Sequence, residues 1–168
     1  MTRFLRYIVS AALLGAATLA AARGNELAVG QAAPRLTMTT LDGAHFDTRE
    51  LKGKVVFLTF WATWCGPCRA ELPALSRYAS AHASQGVVVL ALSLDSPADL
   101  QQVREIARDL SFPVGMLGDE HVPGYGRIWH LPVSFVIDRQ GRLVVDGWKD
   151  KDPVWNATRL EREVTPLL

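Results

Sequence analysis

Two cysteines, Cys65 and Cys68, are all that this 168-residue chain has. A small fold stapled by several disulfides is therefore excluded. Charge of one sign is lacking as well: 18 basic residues face 17 acidic ones, for a net +1, and no block of like charge stands out. Nucleic-acid and polybasic membrane-surface roles need a concentrated basic field, so both are disfavoured. There is no internal repeat, low-complexity tract or interdomain linker, and the length is room for one domain. What is present, 49% hydrophobic and 21% charged residues, is the composition of an ordinary globular protein.

A membrane-length apolar run is also missing. The uncharged stretch from Tyr7 to Ala22 is 16 residues, below the roughly 18–20 that span a bilayer comfortably. It follows Arg3 and Arg6 and ends at Ala20-Ala21-Ala22. Basic start, short apolar stretch and small-residue site read as a secretory signal peptide over residues 1–22, with an uncleaved N-terminal anchor as the alternative. No cysteine closes the run, which excludes lipid modification there. Export would place the mature chain where disulfides form and persist.

Past a lead-in at Gly30 to Pro34, Leu36 to Leu41 alternates with period two. Asp42-Gly43 is a turn signal, and a short second strand follows at His45-Phe46. Lys54 to Phe60 is a near-continuous apolar, β-rich run suited to a strand covered on both faces. Leu72, Leu75, Tyr78, Ala79 and His82 then recur at helical spacing from Pro67 to about Ser84. Pro73 should kink this helix and Gly86 should stop it. Val87 to Leu94 is a second buried strand, and Ser96-Pro97 should open a helix with serine as its cap. A short strand falls within Phe112 to Leu117. Val133 to Ile137 and Leu143 to Val145 form a hairpin, and Asp152-Pro153 should start a last helix towards Val164. Parallel strands with crossover helices, then an antiparallel hairpin, predict an α/β fold with a mixed central sheet flanked by helices.

The two cysteines fall at a strand-to-helix junction, in Cys65-Gly66-Pro67-Cys68. At the helix start, unpaired N–H groups and the macrodipole favour a thiolate at Cys65, and the thiolate is the nucleophile in disulfide exchange. Cys68, one turn on, is close enough to resolve a mixed disulfide. Pro67 sets the first turn. Three blander readings stay open: a structural disulfide, which would close only a very short loop; a metal site, although His45, His82, His121 and His130 are scattered; and an inert reduced pair.

Phe60-Trp61-Ala62-Thr63-Trp64-Cys65-Gly66-Pro67-Cys68-Arg69-Ala70-Glu71-Leu72-Pro73 strongly resembles the active-site segment of extracytoplasmic thioredoxin-like proteins of the TlpA/ResA type. Ala33-Pro34, Leu41-Asp42-Gly43, Leu51-Lys52-Gly53-Lys54 and Leu131-Pro132-Val133-Ser134-Phe135-Val136-Ile137-Asp138 extend the likeness over residues 29–168. The resemblance implies a thioredoxin-like domain with an N-terminal β-hairpin extension. It makes Cys65 the attacking and Cys68 the resolving cysteine. Pro132 becomes the cis-proline facing the disulfide, and Leu131 exposes backbone to an extended client. Glu71 matches a buried glutamate of this branch, while Thr59 stands where thioredoxins proper carry a buried aspartate. The bland alternative for Glu71 is a solvated helix position. Trp61 reads as packing; Trp64, with Gly66 and Pro67, reads as substrate surface. Trp129 and His130 depart from the small or apolar residues expected there.

The implied activity is a periplasmic or otherwise extracytoplasmic thiol:disulfide oxidoreductase, a reductant of protein disulfides with no cofactor beyond its own Cys65–Cys68 pair. The family implies a membrane electron donor, with cytochrome c maturation or copper-site cysteines as clients. An oxidant or isomerase and a Cu(I)-binding chaperone are the rivals. A thiol peroxidase is disfavoured, since no Pro-x-x-x-Thr-x-x-Cys pattern precedes Cys65.

Overall fold

The structure is a computed structural model that describes residues 27–168. The signal peptide or anchor expected over residues 1–22 lies outside the described residues. Among these, no helix is long and apolar enough to cross a membrane.

The chain runs β1 (Thr37–Thr39), β2 (His45–Asp47), β3 (Val55–Trp61), α1 (Gly66–His82), β4 (Val87–Ser93), α2 (Leu100–Ala107), β5 (Val114–Met116), β6 (His121–Val122), β7 (Gly126–Arg127), β8 (Val133–Ile137), β9 (Leu143–Val145) and α3 (Ala157–Glu163). Five strands form the central sheet in the order β5-β4-β3-β8-β9. β3, β4 and β5 are parallel neighbours; β8 and β9 join antiparallel. The expected thioredoxin-like mixed sheet, its flanking helices and the β1–β2 hairpin are all present.

Every residue of β3 is buried, as its unbroken apolar run requires of a central strand. Its period-two alternation divides the core. Val55, Phe57 and Trp61 join one cluster with Leu72 and Leu75 of α1 and Leu160 of α3. Val56, Leu58 and Phe60 join a second on the other face, with Met38, Tyr125 and Phe135. Thr59 is thereby phased towards α1, which is how a hydroxyl from the sheet comes to face that helix.

α1 continues through Pro73, and Gly86, at φ 88°, ends the following 3-10 turn in the left-handed region. Gly115 lets the hairpin lie against β5, since a Cβ there would sit 2.5 Å from the Thr39 carbonyl oxygen.

Two helix starts differ from expectation. A 3-10 turn at Pro97–Asp99 precedes α2, and the Ser96 hydroxyl donates to the Asp99 carboxylate (2.6 Å) instead of capping a backbone N–H. The last helix starts at Ala157, not at Asp152-Pro153. Asn156 is its cap, accepting from Arg159 N–H at 2.9 Å, while the Asp152 carbonyl is taken by the Arg159 guanidinium. The two-residue strands of the β6–β7 hairpin carry no periodicity from which to foresee them.

Candidate active site

β3 delivers the chain to the loop 62–64, and α1 begins at Gly66. Cys65 is the helix N-cap, extended at φ −84° and ψ 100°, and its Sγ accepts from the Cys68 N–H at 3.2 Å. A sulfur at this position takes one of the donors that a helix start leaves unpaired, the arrangement that favours a thiolate once the bond opens. Cys65 and Cys68 are joined in a disulfide with 5.3 Å between Cα atoms. Cys68 is fully buried and Cys65 is 6% exposed, so the reachable sulfur is that of Cys65. Around it Gly66 and Pro67 are exposed, and Trp64 is 68% exposed. Trp61 is wholly inside the core, as its packing assignment requires.

The Leu131–Pro132 peptide bond is cis. Register explains its place: Val133, the first residue of β8, pairs with Phe60, one residue from the end of β3. The proline loop therefore lies level with the loop leading to Cys65. Pro132 is buried, and half-buried Leu131 packs against the cluster that contains both cysteines.

Glu71 is 1% exposed, so the solvated-helix alternative is excluded. It sits one turn beyond Cys68 on α1, and burial pushes its carboxyl up to about 7. Opposing that rise are the Trp155 N–H, donating to Oε2 at 3.0 Å, the Thr59 hydroxyl, donating to Oε1 across 3.5 Å, and the positive charge of Arg159. Thr59 in turn accepts from the Ser134 hydroxyl of β8 at 3.0 Å. A carboxyl half-ionised near neutrality, beside a buried thiol pair, can take and return a proton during exchange.

Two groups escaped the sequence reading. Asp95, 5% exposed just past β4, accepts from the Thr63 N–H (2.8 Å), the Thr63 hydroxyl (2.6 Å) and the Ser93 hydroxyl (2.5 Å). It pins the loop two residues before Cys65. Ser93-Leu94-Asp95 at the end of a buried strand was the available signal. The other group is the segment before α3, where Trp155 meets Glu71. The helix expected from Asp152 concealed it.

Trp129 is 74% exposed, stacked on Trp148 at 6.2 Å between centroids, with the His130 ring 4.2 Å from Trp129. Trp129 and His130, on the segment leading into Leu131-Pro132, form an aromatic surface with Trp148 from beyond β9. Among the described residues, no group of three or more His, Cys, Asp or Glu side chains could hold a metal ion.

Residues 29–145 match the AhpC/TSA family. The chain is 34% identical over 119 residues to the thiol-disulfide oxidoreductase ResA of Bacillus cereus, covering 71% of this chain and 69% of that protein. Among solved structures, a thioredoxin-family thiol:disulfide interchange protein from Chlorobium tepidum superposes with a TM-score of 0.66 at 27% identity, covering 82% of this chain and 95% of the other. A secreted disulfide oxidoreductase of Mycobacterium tuberculosis, homologous to DsbE of E. coli, gives 0.64 at 26% identity, over 79% and 96%.

Proposed function

Because the chain belongs to the AhpC/TSA family and is a thiol-disulfide oxidoreductase of the ResA/DsbE type, we propose that it works outside the cytoplasm as a reductant of protein disulfides. The observation that carries the direction is the buried Glu71 carboxyl one turn from Cys68. Potential follows how strongly a protein stabilises its thiolate over its disulfide. A carboxylate held near the sulfurs disfavours the thiolate, which drives electrons out towards the client. Gly66-Pro67 adds no cation that would oppose this.

The cycle starts from the dithiol. Cys65 thiolate attacks one sulfur of a client disulfide, and the client's other sulfur leaves as a thiolate that takes up a proton. Glu71 accepts the Cys68 proton, and the Cys68 thiolate attacks Cys65 Sγ. The client's second thiol is released, and the enzyme is left as the Cys65–Cys68 disulfide seen here. Two electrons and two protons from a membrane-bound thiol donor restore the dithiol. Leu131, beside the cis-proline, offers backbone to an extended client strand, and Trp64, Gly66 and Pro67 form the rim it crosses. Cysteines of apocytochrome c or of copper sites fit such a client.

Cys68→Ser, produced with its native N-terminus, should accumulate client proteins in disulfide linkage to Cys65, whereas Cys65→Ser should trap none. Equilibration with thiol buffers, read by tryptophan emission from Trp61 and Trp64, should place the potential below about −200 mV. A value near −120 mV, that of a strong oxidant, would reverse the proposed direction.

A further inference from the structure

Arg159 is an arginine with almost no access to water: its side chain is 6% exposed. Burying a guanidinium is costly unless every face is answered. Here Nη2 reaches the Asp150 carboxylate at 2.7 Å, Nε reaches Glu163 at 3.1 Å and Nη1 donates to the Asp152 carbonyl. The flat face lies 3.7 Å from the centroid of the Trp155 ring. Trp155 is 1% exposed, and its indole N–H has no hydrogen-bond partner among the described residues. That residue is held instead by the arginine on its face, by Phe57 edge-on at 4.9 Å, and by its backbone N–H on Glu71. An indole that forgoes its own hydrogen bond is placed for its ring and its main chain.

We propose that Arg159 is a positioning residue of the active site, clamping the strap 150–156 so that the Trp155 N–H stays on the Glu71 carboxylate and thereby setting the pH at which Glu71 exchanges its proton. This rests on the reading of Glu71 as the proton carrier. The groups facing Glu71 are few. Its own helix brings the Cys65–Cys68 pair, β3 brings the Thr59 hydroxyl backed by Ser134 of β8, the strap brings the Trp155 N–H, and α3 brings the charge of Arg159. Asp150 and Glu163 stand behind that charge, and Arg159 offsets them. Loss of Arg159 removes a cation, uncovers two anions and frees the donor, and all three changes favour protonated Glu71.

The test is a carboxyl titration of Glu71 by carbon NMR in the oxidised full chain, assigned by the resonance missing from Glu71→Gln. In Arg159→Gln the midpoint should rise by about one pH unit. Arg159→Lys, which keeps charge but loses the planar fork, should rise by less. An unmoved midpoint in a folded Arg159→Gln overturns the proposal. Should that variant fail to fold, Arg159→Lys decides: both the Glu71 midpoint and the Trp155 amide titration that follows it should move from their wild-type positions, and wild-type values of both overturn the proposal. Exchange kinetics separate this from the role of Glu71. A pH–rate profile unchanged in Glu71→Gln would end Glu71's part in exchange yet leave the Arg159 titration standing. With that part intact, Arg159→Lys should displace the profile only when Glu71 is present.

Discussion

Two buried carboxylates flank the disulfide, and the chain treats them oppositely. Asp95, on the β4 side, is saturated: two hydroxyls and a backbone N–H aim at its oxygens, all within 2.8 Å. Glu71, beneath the first turns of α1, has one good donor at 3.0 Å and one hydroxyl at 3.5 Å. Saturation fixes geometry, because each donor would be stranded if the carboxylate left. At Glu71 burial, only partly opposed by its two donors, pushes the carboxyl up to about 7. One region is an anchor for the nucleophile's loop. In the proposed cycle the other is its proton store.

The comparison breaks hardest at Asp95. Asp95→Ala strands the Thr63 N–H and hydroxyl and the Ser93 hydroxyl in a buried site, and should cost about 3–4 kcal/mol in urea unfolding. Asp95→Asn retains an acceptor and should cost less, about 1–2 kcal/mol. If Asp95 is an anchor, both variants slow exchange by a factor that is constant across pH. A displaced pH–rate profile would make it a second proton carrier and erase the contrast.

Glu71 should answer with the opposite sign. Its carboxyl is raised from 4.5 to about 7 on folding, so its stabilising contribution is complete below 4.5 and is lost as pH rises through 7. Glu71→Gln removes that dependence while keeping an acceptor for the Trp155 N–H. The oxidised variant should match wild type near pH 4.5 and exceed it by up to about 3 kcal/mol at pH 8, read by urea unfolding at both pH values. Exchange by the same variant should be slower, with a flatter pH profile. A variant less stable than wild type at pH 8 would show that the carboxylate, too, is structural.

How far each region could be read from the sequence follows from the distance along the chain over which it is built. Cys65 and Cys68 occupy one helix start, and the β3 run and the cap position that mark it are local, whereas the burial of Glu71 was implied only by the family resemblance. The strand Val133–Ile137 was legible from its own apolar run, but the cis bond before Pro132 was implied only by the family resemblance of the Leu131-Pro132-Val133 segment. The anchor joins residues 32 apart and the strap residues 84 apart, and no local pattern reports such pairs. The misplaced start of α3 has the same origin. Asp152-Pro153 carries a good local start signal, but Arg159 takes the Asp152 carbonyl and the Asp150 carboxylate, and Asn156 becomes the cap. Trp129 and His130 stood out in the sequence as departures, yet the stack on Trp148 that gives them a surface needed the fold.

The smallest structural effect belongs to Trp64, which lies outside both carboxylate networks. At 68% exposed it contributes little to packing, so Trp64→Ala should change unfolding free energy by no more than about 0.5 kcal/mol. Anchor and proton store are untouched, so exchange with a small disulfide should keep its rate and pH profile. A protein client is different if, as proposed, it crosses the rim formed by Trp64, Gly66 and Pro67 to reach Cys65, a residue only 6% exposed. Loss of an aromatic contact at the centre of such an interface is worth about 1 kcal/mol, or roughly fivefold in the client's kcat/KM. Measured side by side, the two substrates separate recognition from chemistry. Equal slowing of both would place Trp64 with the anchor, as a residue that shapes the loop rather than one that meets the client.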